Sequence, residues 1–371
     1  MTRALKVAIV HDWMASPGGA EKTVYAMHTI WPDAPVYTAV YSPEKFPDFA
    51  NVDVRPTWLN RIGLAKKKHQ LFSIPRAWAF KTLDLSNYDV VISSSSAESK
   101  YIKKGPQTLH ICYCHTPIRY YWSDYDWYRQ NPPFGKLNWL AKLVLPVLIG
   151  PLRRMDYKAA QKVDYYIANS RNVQKRIKQY YHRDSEVIYP PIETDKFTAP
   201  HKAKDYYLIV GRQVAYKRLD LAVDVFNELG LKLKVAGAGE EITRQQSRSQ
   251  PNIEYLGFVT EAQKEQLYAG AKGFIFPPEE DFGMVPLEAM SAGCPVIAYA
   301  KGGALEYVVE GKTGTFFQEQ TTADLVAAIK RFEKMTFDES VLRAHAAAFD
   351  ESVFTKKLKD FVDAKVKSRE K

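Results

Sequence analysis

The stretch Gly273-Phe274-Ile275-Phe276-Pro277-Pro278-Glu279-Glu280-Asp281-Phe282-Gly283-Met284-Val285-Pro286-Leu287-Glu288 changes character twice. Gly273–Phe276 is a short apolar run and predicts a strand. Pro277-Pro278 stops it, because proline has no N–H to give to a ladder. From Pro286 to Ser291 the pattern resumes as a helix. A strand that empties into a polar loop and feeds a helix is the repeating unit of a parallel α/β sheet. The amides of Phe282 to Val285 are expected to face a ligand at the start of that helix, where partial positive charge collects. Glu280 stands in the loop and Glu288 on the helix. A carboxylate such as Glu288 can accept both hydroxyls of a ribose. The plainer alternative makes Glu280 and Asp281 a surface acidic cluster.

The same unit recurs along the chain. Strands are predicted at Lys6–Val10, Val36–Val40, Asp89–Ser93, Leu109–Tyr113, Tyr165–Ala168 and Val187–Tyr189. A second series follows at Tyr206–Val210, Lys232–Ala236, Ile253–Leu256, Gly273–Phe276, Pro295–Tyr299 and Gly314–Phe317. Amphipathic stretches lie between them, among them Ala20–Ile30, Arg171–Tyr181, Leu219–Leu229, Glu261–Ala269 and Ala323–Phe332. Pro190-Pro191 ends the first series and a polar linker follows. The expected organisation is a first domain over 1–195, a second over 204–349, and a charged C-terminal helix over 350–371 that crosses back to the first domain. With 371 residues the chain is long enough for two such cores. Two doubly wound domains facing each other leave a cleft at the carboxyl ends of their strands, where open α/β sheets bind ligands.

Three further clusters fall at strand ends. Gly18-Gly19-Ala20-Glu21 opens a helix after the first strand, and glycines there let backbone amides approach an anion. It also reads as a plain strand-to-helix turn. Gly211-Arg212-Gln213-Val214-Ala215-Tyr216-Lys217-Arg218 holds the matching place in the second series, with cations able to clamp a diphosphate. Cations near a helix N-terminus oppose its dipole, so they are odd there without an anion. His115-Thr116-Pro117 follows the strand bearing Cys112 and Cys114. A histidine there can donate to a sugar hydroxyl, or can be a loop histidine satisfied by backbone.

Several classes drop out. Asp281-Phe282-Gly283 has no H-R-D-x-x-x-x-N loop or V-A-I-K strand beside it, so a protein kinase is excluded. Gly237-Ala238-Gly239 lacks the third glycine of a dinucleotide fingerprint, with Ile242 in its place, which argues against a nicotinamide enzyme. Asp124-Tyr125-Asp126 has a metal-binding spelling but reads as a polar loop. Three cysteines, two of them one residue apart and expected to share a strand face, fit no C-x-x-C site and suit a reducing compartment. Val7–Val10 follows the N-terminus almost at once, so no signal peptide is expected. The apolar run Leu143–Leu152, interrupted by Pro146 and Gly150, is too short to span a bilayer.

Taken together these elements resemble glycosyltransferase family 4, retaining enzymes of the GT-B fold, over nearly the whole chain. The most specific element is E-x7-E, here Glu280 and Glu288 inside E-D-F-G-M-V-P-L-E-A-M-S-A-G-C-P-V-I. Gly302-Gly303 and Glu306 follow as G-G-x-x-E, and Gly18-Gly19, Asn169-Ser170, Gly211-Arg212 and Lys217 fall in the expected order. The resemblance implies that Arg212 and Lys217 bind a diphosphate and that Glu288 binds the ribose. It makes Glu280 and the Asp281–Val285 backbone, through Phe282, Gly283 and Met284, the cradle of the donor sugar. It further implies that His115 contacts that sugar near the reacting carbon and that Gly257-Phe258-Val259 borders the base. It implies front-face displacement with retention, no metal and no prosthetic group. The wording H-D-W, C-Y-C-H-T-P-I-R-Y and E-D-F-G is most similar to mannosyl and related hexosyl transferases of polysaccharide assembly. GDP-mannose is therefore the first expected donor and a UDP-sugar the second.

Charge adds a partner. Residues 1–200 carry 28 Lys and Arg against 17 Asp and Glu, whereas 201–371 carry 24 against 25. A basic first half, with Lys66-Lys67-Lys68, Lys103-Lys104 and Arg153-Arg154, suits an anionic partner. Beside the apolar stretch Leu137–Leu152, it points to a peripheral contact with an anionic membrane and a glycan or polyprenyl-diphosphate acceptor. A buried core helix beside a solvated basic face is the alternative. The expected location is the cytoplasm, at the inner face of the cell membrane. No nucleic-acid motif accompanies the charge. Competing readings are another GT-B nucleotide-sugar enzyme, such as an epimerase, and a non-catalytic lipid- or polyanion-binding protein.

Overall fold

The computed structural model describes residues 5–130, 138–203 and 205–369. Leu137, which opens the apolar stretch, Lys204, where the second domain was expected to start, and the last two residues of the C-terminal segment lie outside that range. The chain divides into two compact units: unit 1 runs to Tyr189 and takes back the chain from Thr355, and unit 2 is Pro190–Phe354. The division falls at the Pro190-Pro191 pair.

Among the described residues unit 1 holds seven strands: β1 Val7–His11, β2 Val36–Thr38, β3 Val54–Pro56, β4 Val90–Ser95, β5 Leu109–Cys114, β6 Tyr165–Ala168 and β7 Ser185–Val187. Their order is β3-β2-β1-β4-β5-β6-β7, with every pairing parallel. β1, β4 and β5 are buried throughout, which is why they read as unbroken apolar or small-residue runs. β3 escapes the sequence pattern. It is a three-residue edge strand ending in Pro56, which an edge tolerates. β7 ends two residues earlier than expected. Cys112 and Cys114 do share a face, packed with Tyr166, Val173, Ile177 and Tyr181.

Unit 2 repeats the plan with β8 Tyr206–Val210, β9 Lys232–Ala236, β10 Ile253–Gly257, β11 Gly273–Phe276, β12 Val296–Tyr299 and β13 Gly314–Phe317. The order is β10-β9-β8-β11-β12-β13, again all parallel. One face packs the helices Leu219–Leu229 and Thr322–Phe332 through Leu219, Val223, Phe226, Leu325, Ile329 and Phe332. Their apolar residues fall three and four apart, the helical period. Both units are therefore doubly wound, Rossmann-like sheets. In each the strand order reverses beside the first strand, between β1 and β4 and between β8 and β11. Ligands of such sheets bind outside the carboxyl ends at that reversal.

Two local expectations change. The Asp124-Tyr125-Asp126 segment is not a loop, since a helix starts at Tyr125 and runs to Gln130. Asp124 faces Arg119 at 3.6 Å. The apolar stretch is not core: it belongs to a helix, Asn138–Ala160, on which Trp139, Leu143 and Val147 are exposed by 63%, 66% and 74%. No helix among the described residues is long and apolar enough to cross a membrane.

Candidate active site

In unit 2 the segments after β8 and β11 meet at the strand-order reversal. Lys217, at the end of the short turn Ala215–Lys217, forms an ion pair with Glu280 in the loop after β11. Arg212 is exposed and makes no hydrogen bond or ion pair with the described residues. The third cation of the cluster is used locally. Arg218 adopts left-handed backbone (φ 56°), and its guanidinium binds Asp220 at 3.1 Å and Gln320 at 3.1 Å. The odd placement of cations before a helix thus has two answers. Arg218 has its own acid, and Lys217 faces Glu280.

Glycines bring these loops into contact. A Cβ on Gly302 would come within 2.2 Å of Glu280 O, and one on Gly303 within 2.2 Å of Phe282 O. The Gly303 amide donates to Glu280 O at 2.8 Å. Gly302-Gly303 is therefore the floor on which the acidic loop lies, a close backbone approach that only glycine permits. Phe282 is buried against Tyr307 and Phe349, and the Tyr307 hydroxyl donates to Phe282 O at 3.0 Å. Gly283 takes φ +85°. The amides of Gly283, Met284 and Val285 stand where the loop ends. They precede or open the helix Val285–Ser291. Gly237 and Gly239 have a similar reason: a Cβ on either would strike the Gly211 or Gln213 carbonyl at about 2 Å. The Gly237 amide in turn donates to Gly257 O at 2.7 Å, so the ends of β8, β9 and β10 form one ridge. Gly257 has φ +66° and Phe258 is 85% exposed, with Val259 partly buried beyond it.

Glu288 is buried, not displayed. Its Oε2 accepts from the Tyr268 hydroxyl at 3.2 Å and faces Lys264 Nζ at 3.0 Å. Tyr268 and Lys264 lie four apart on the helix Glu261–Gly270, so one face delivers both. Burial and the nearby Glu288 and Glu261 carboxylates push the Tyr268 pKa well up, so it remains a donor. The sequence reading missed this pair. Its signal was a lysine on the buried side of an amphipathic helix, where a charge has to find a partner.

In unit 1, His115 follows β5, and its Nε2 lies 2.8 Å from Ser94 Oγ. Its ring stands edge-on to Tyr113. Gly18 and Gly19 are exposed at the start of the helix Gly19–Ile30. The Glu21 carboxylate comes close to Gly18, so this helix end already holds an anion of its own. In the Asn169-Ser170 pair, Ser170 caps the helix Arg171–Tyr181 by accepting from the Val173 amide at 3.0 Å. Among the described residues no group of three His, Cys, Asp or Glu side chains is arranged to hold a metal.

The profile described as glycosyl transferases group 1 matches residues 192–349, and that described as Glycosyltransferase Family 4 matches 17–196. The alpha-1,3/1,6-mannosyltransferase ALG2 of Dictyostelium discoideum is 26% identical over 296 residues, 66% of each chain. The chain thus spans just under two thirds of that relative's length. ALG2 of Mus musculus is 25% identical over 369 residues, covering 85% of this chain and 84% of the mouse protein. Among solved structures, Anabaena HepE in complex with UDP-glucose superposes with a TM-score of 0.71 at 18% identity, over 97% of this chain and 100% of its own, a likeness of fold. Both halves match adjoining profiles, both sheets have the doubly wound order, and the E-x7-E loop rests on its glycine pair. The chain belongs to the group 1 glycosyltransferases, with the two Rossmann-like domains of the GT-B fold.

Proposed function

We propose that this protein transfers a hexose from a nucleoside-diphosphate sugar to a glycan or lipid-linked acceptor, with retention of configuration. GDP-mannose is the first donor, on the strength of the ALG2 relatives and the E-D-F-G wording. A UDP-sugar is the second, since HepE is known with UDP-glucose. The observation that carries the reading is the meeting of the Arg212–Lys217 segment with the Glu280 loop at the strand-order reversal of one sheet.

The roles follow from charge. As the bond between sugar and diphosphate lengthens, negative charge grows on the leaving oxygen and positive charge on the ring. Arg212 and Lys217 stabilise the leaving diphosphate, and fixed charges aimed at a developing charge usually contribute most to catalysis of this kind. They supply the charge that a divalent metal would otherwise bring, so transfer on this reading is metal-independent. Without a donor, Lys217 is neutralised by Glu280. With one, the phosphates take Lys217, and Glu280 turns to accept sugar hydroxyls. The amides of Gly283, Met284 and Val285 complete the sugar's cradle, together with Asp281 and Phe282. Glu288 takes the ribose. Lys264 and Tyr268 hold its carboxylate in place. Gly257, Phe258 and Val259 border the base. His115 serves the sugar near the reacting carbon, and the acceptor hydroxyl attacks from the face the diphosphate leaves. Glu280 positions the donor; it is not assigned as a nucleophile.

A thermal-shift panel of nucleotide sugars tests this directly. A ligand that binds only the folded state at 100 times its Kd adds about 2.7 kcal/mol, so GDP-mannose should raise the Tm measurably and release GDP when acceptor is present. If no nucleoside diphosphate or its sugar shifts the Tm, the reading fails. Nucleotide release that needs no acceptor would favour the epimerase alternative.

A further inference from the structure

His11, Ser94 and His115 form a continuous side-chain path that ends on the histidine assigned above to the donor sugar. His11 is the last residue of β1 and is paired in register with Ser94 of β4, beside the strand-order reversal. Both are buried. His11 Nε2 lies 3.4 Å from Glu21 Oε1, and His11 Nδ1 lies 3.1 Å from Ser94 Oγ and 3.3 Å from Ser94 O. Ser94 Oγ lies 2.8 Å from His115 Nε2.

The proton positions follow from what each partner can do. An ionised carboxylate only accepts, so His11 Nε2 carries a proton towards Glu21. A backbone carbonyl also only accepts, so His11 Nδ1 carries one towards Ser94 O and Oγ. His11 is then an imidazolium. Burial alone would lower its pKa, but Glu21 and Asp12 outweigh that and hold it above the ordinary histidine value. Ser94 Oγ, already accepting from His11, has one proton to give, and the remaining neighbour is His115 Nε2. Donating that proton to Nε2 makes Nε2 the unprotonated nitrogen of His115.

We propose that Glu21, His11 and Ser94 are positioning residues that fix His115 as its Nδ1–H tautomer. His115 then acts on the donor sugar as a hydrogen-bond donor through Nδ1, and not as a base through Nε2, whose lone pair Ser94 occupies. The inference rests on the assignment of His115 to the donor sugar, and it explains why a charged histidine and a carboxylate are buried beneath that residue.

The test is ring-15N histidine NMR of the full chain, with the His115 signals identified by their loss in His115→Gln. The wild type should show His115 with Nδ1 protonated and Nε2 bare. Ser94→Ala should move it towards the Nε2–H form, and Ser94→Thr, which keeps the hydroxyl, should restore it. In parallel, Ser94→Ala should lower kcat about tenfold, the worth of one hydrogen bond, with donor KM unchanged, and Ser94→Thr should recover it. A wild-type His115 protonated on Nε2 overturns the proposal without any variant. So does an unchanged tautomer in folded Ser94→Ala. If the tautomer responds as expected but His115→Gln transfers normally, the chain of contacts stands and the assignment of His115 to the donor fails.

Discussion

Gly303 shows how much of the site a single residue carries. Its missing side chain lets Phe282 O approach to where a Cβ would sit at 2.2 Å, while its amide holds Glu280 O. Gly303→Ala must therefore lift the loop. It should cost about 1–3 kcal/mol, the range of overpacked sites, and weaken donor binding well beyond what the lower Tm explains. Titration calorimetry and a melting curve on the same variant check both. A donor affinity equal to wild type would show that the loop does not form the site. At this scale much was legible. Glu280, Lys217 and Arg212 are named by residue type and spacing, and the structure brings Lys217 and Glu280 together. Tyr268 and Ser94 were not legible, and Lys264 only as a lysine on the buried side of a helix, without its partner. Each acts through a partner far off in sequence, and a lone lysine, tyrosine or serine has no spacing to announce it.

The elements carry their own predictions. His110 is the second residue of the buried strand β5 and pairs with Ser93 Oγ at 2.8 Å. Burial first, then Lys104 and Lys100, push its pKa down to about 3, against a partial pull from Asp164. The unfolded chain takes up that proton near 6.5, so between these values the unfolded state binds more protons. The contribution is thus whole above pH 6.5 and lost as pH falls towards 3. His110→Asn should flatten the acid side of a stability–pH curve; an unchanged slope from denaturant melts at pH 4 to 7 would contradict it. The cysteines give a second check. All three are buried, and burial pushes the thiols of Cys114 and Cys294 up. Ellman's reagent should therefore react no faster than the protein unfolds. A thiol titrated quickly in native buffer would contradict the packing of β5. Of the elements themselves, the buried parallel strands were read closely because they are continuous apolar runs. β3 was lost because three residues at an edge make no pattern. The helix Asn138–Ala160 was read as an apolar stretch with a core helix as the alternative, and its full length was missed because Pro146 and Pro151 interrupt the signal.

For the whole molecule, two doubly wound units follow from a strand pattern that runs out at Pro190-Pro191 and begins again. The basic excess of the first half is equally plain in the sequence. What the sequence left open is whether the apolar stretch is core or surface, and its exposed Trp139, Leu143 and Val147 answer that. We propose that this helix lies on an anionic bilayer, supported by the basic excess of the first half. Arg153 is a weaker candidate, because it donates to Tyr121 O at 2.6 Å and lies over the Trp122 ring. Liposome flotation should show binding to vesicles rich in anionic lipid that weakens with salt as charges are screened. Leu143→Glu with Val147→Glu should abolish most of it, and flotation unaffected by that pair would remove the helix from the interface. The central claim is that unit 2 holds a donor diphosphate on Arg212 and Lys217. Calorimetric titration of GDP and UDP into wild type and Arg212→Ala/Lys217→Ala, both confirmed folded by their melting curves, tests it most directly. Two charge-assisted contacts of roughly 1.5–3 kcal/mol each predict a fall in affinity of at least about a hundredfold, with transfer nearly abolished. A folded double variant that binds the diphosphate as wild type does would contradict the account.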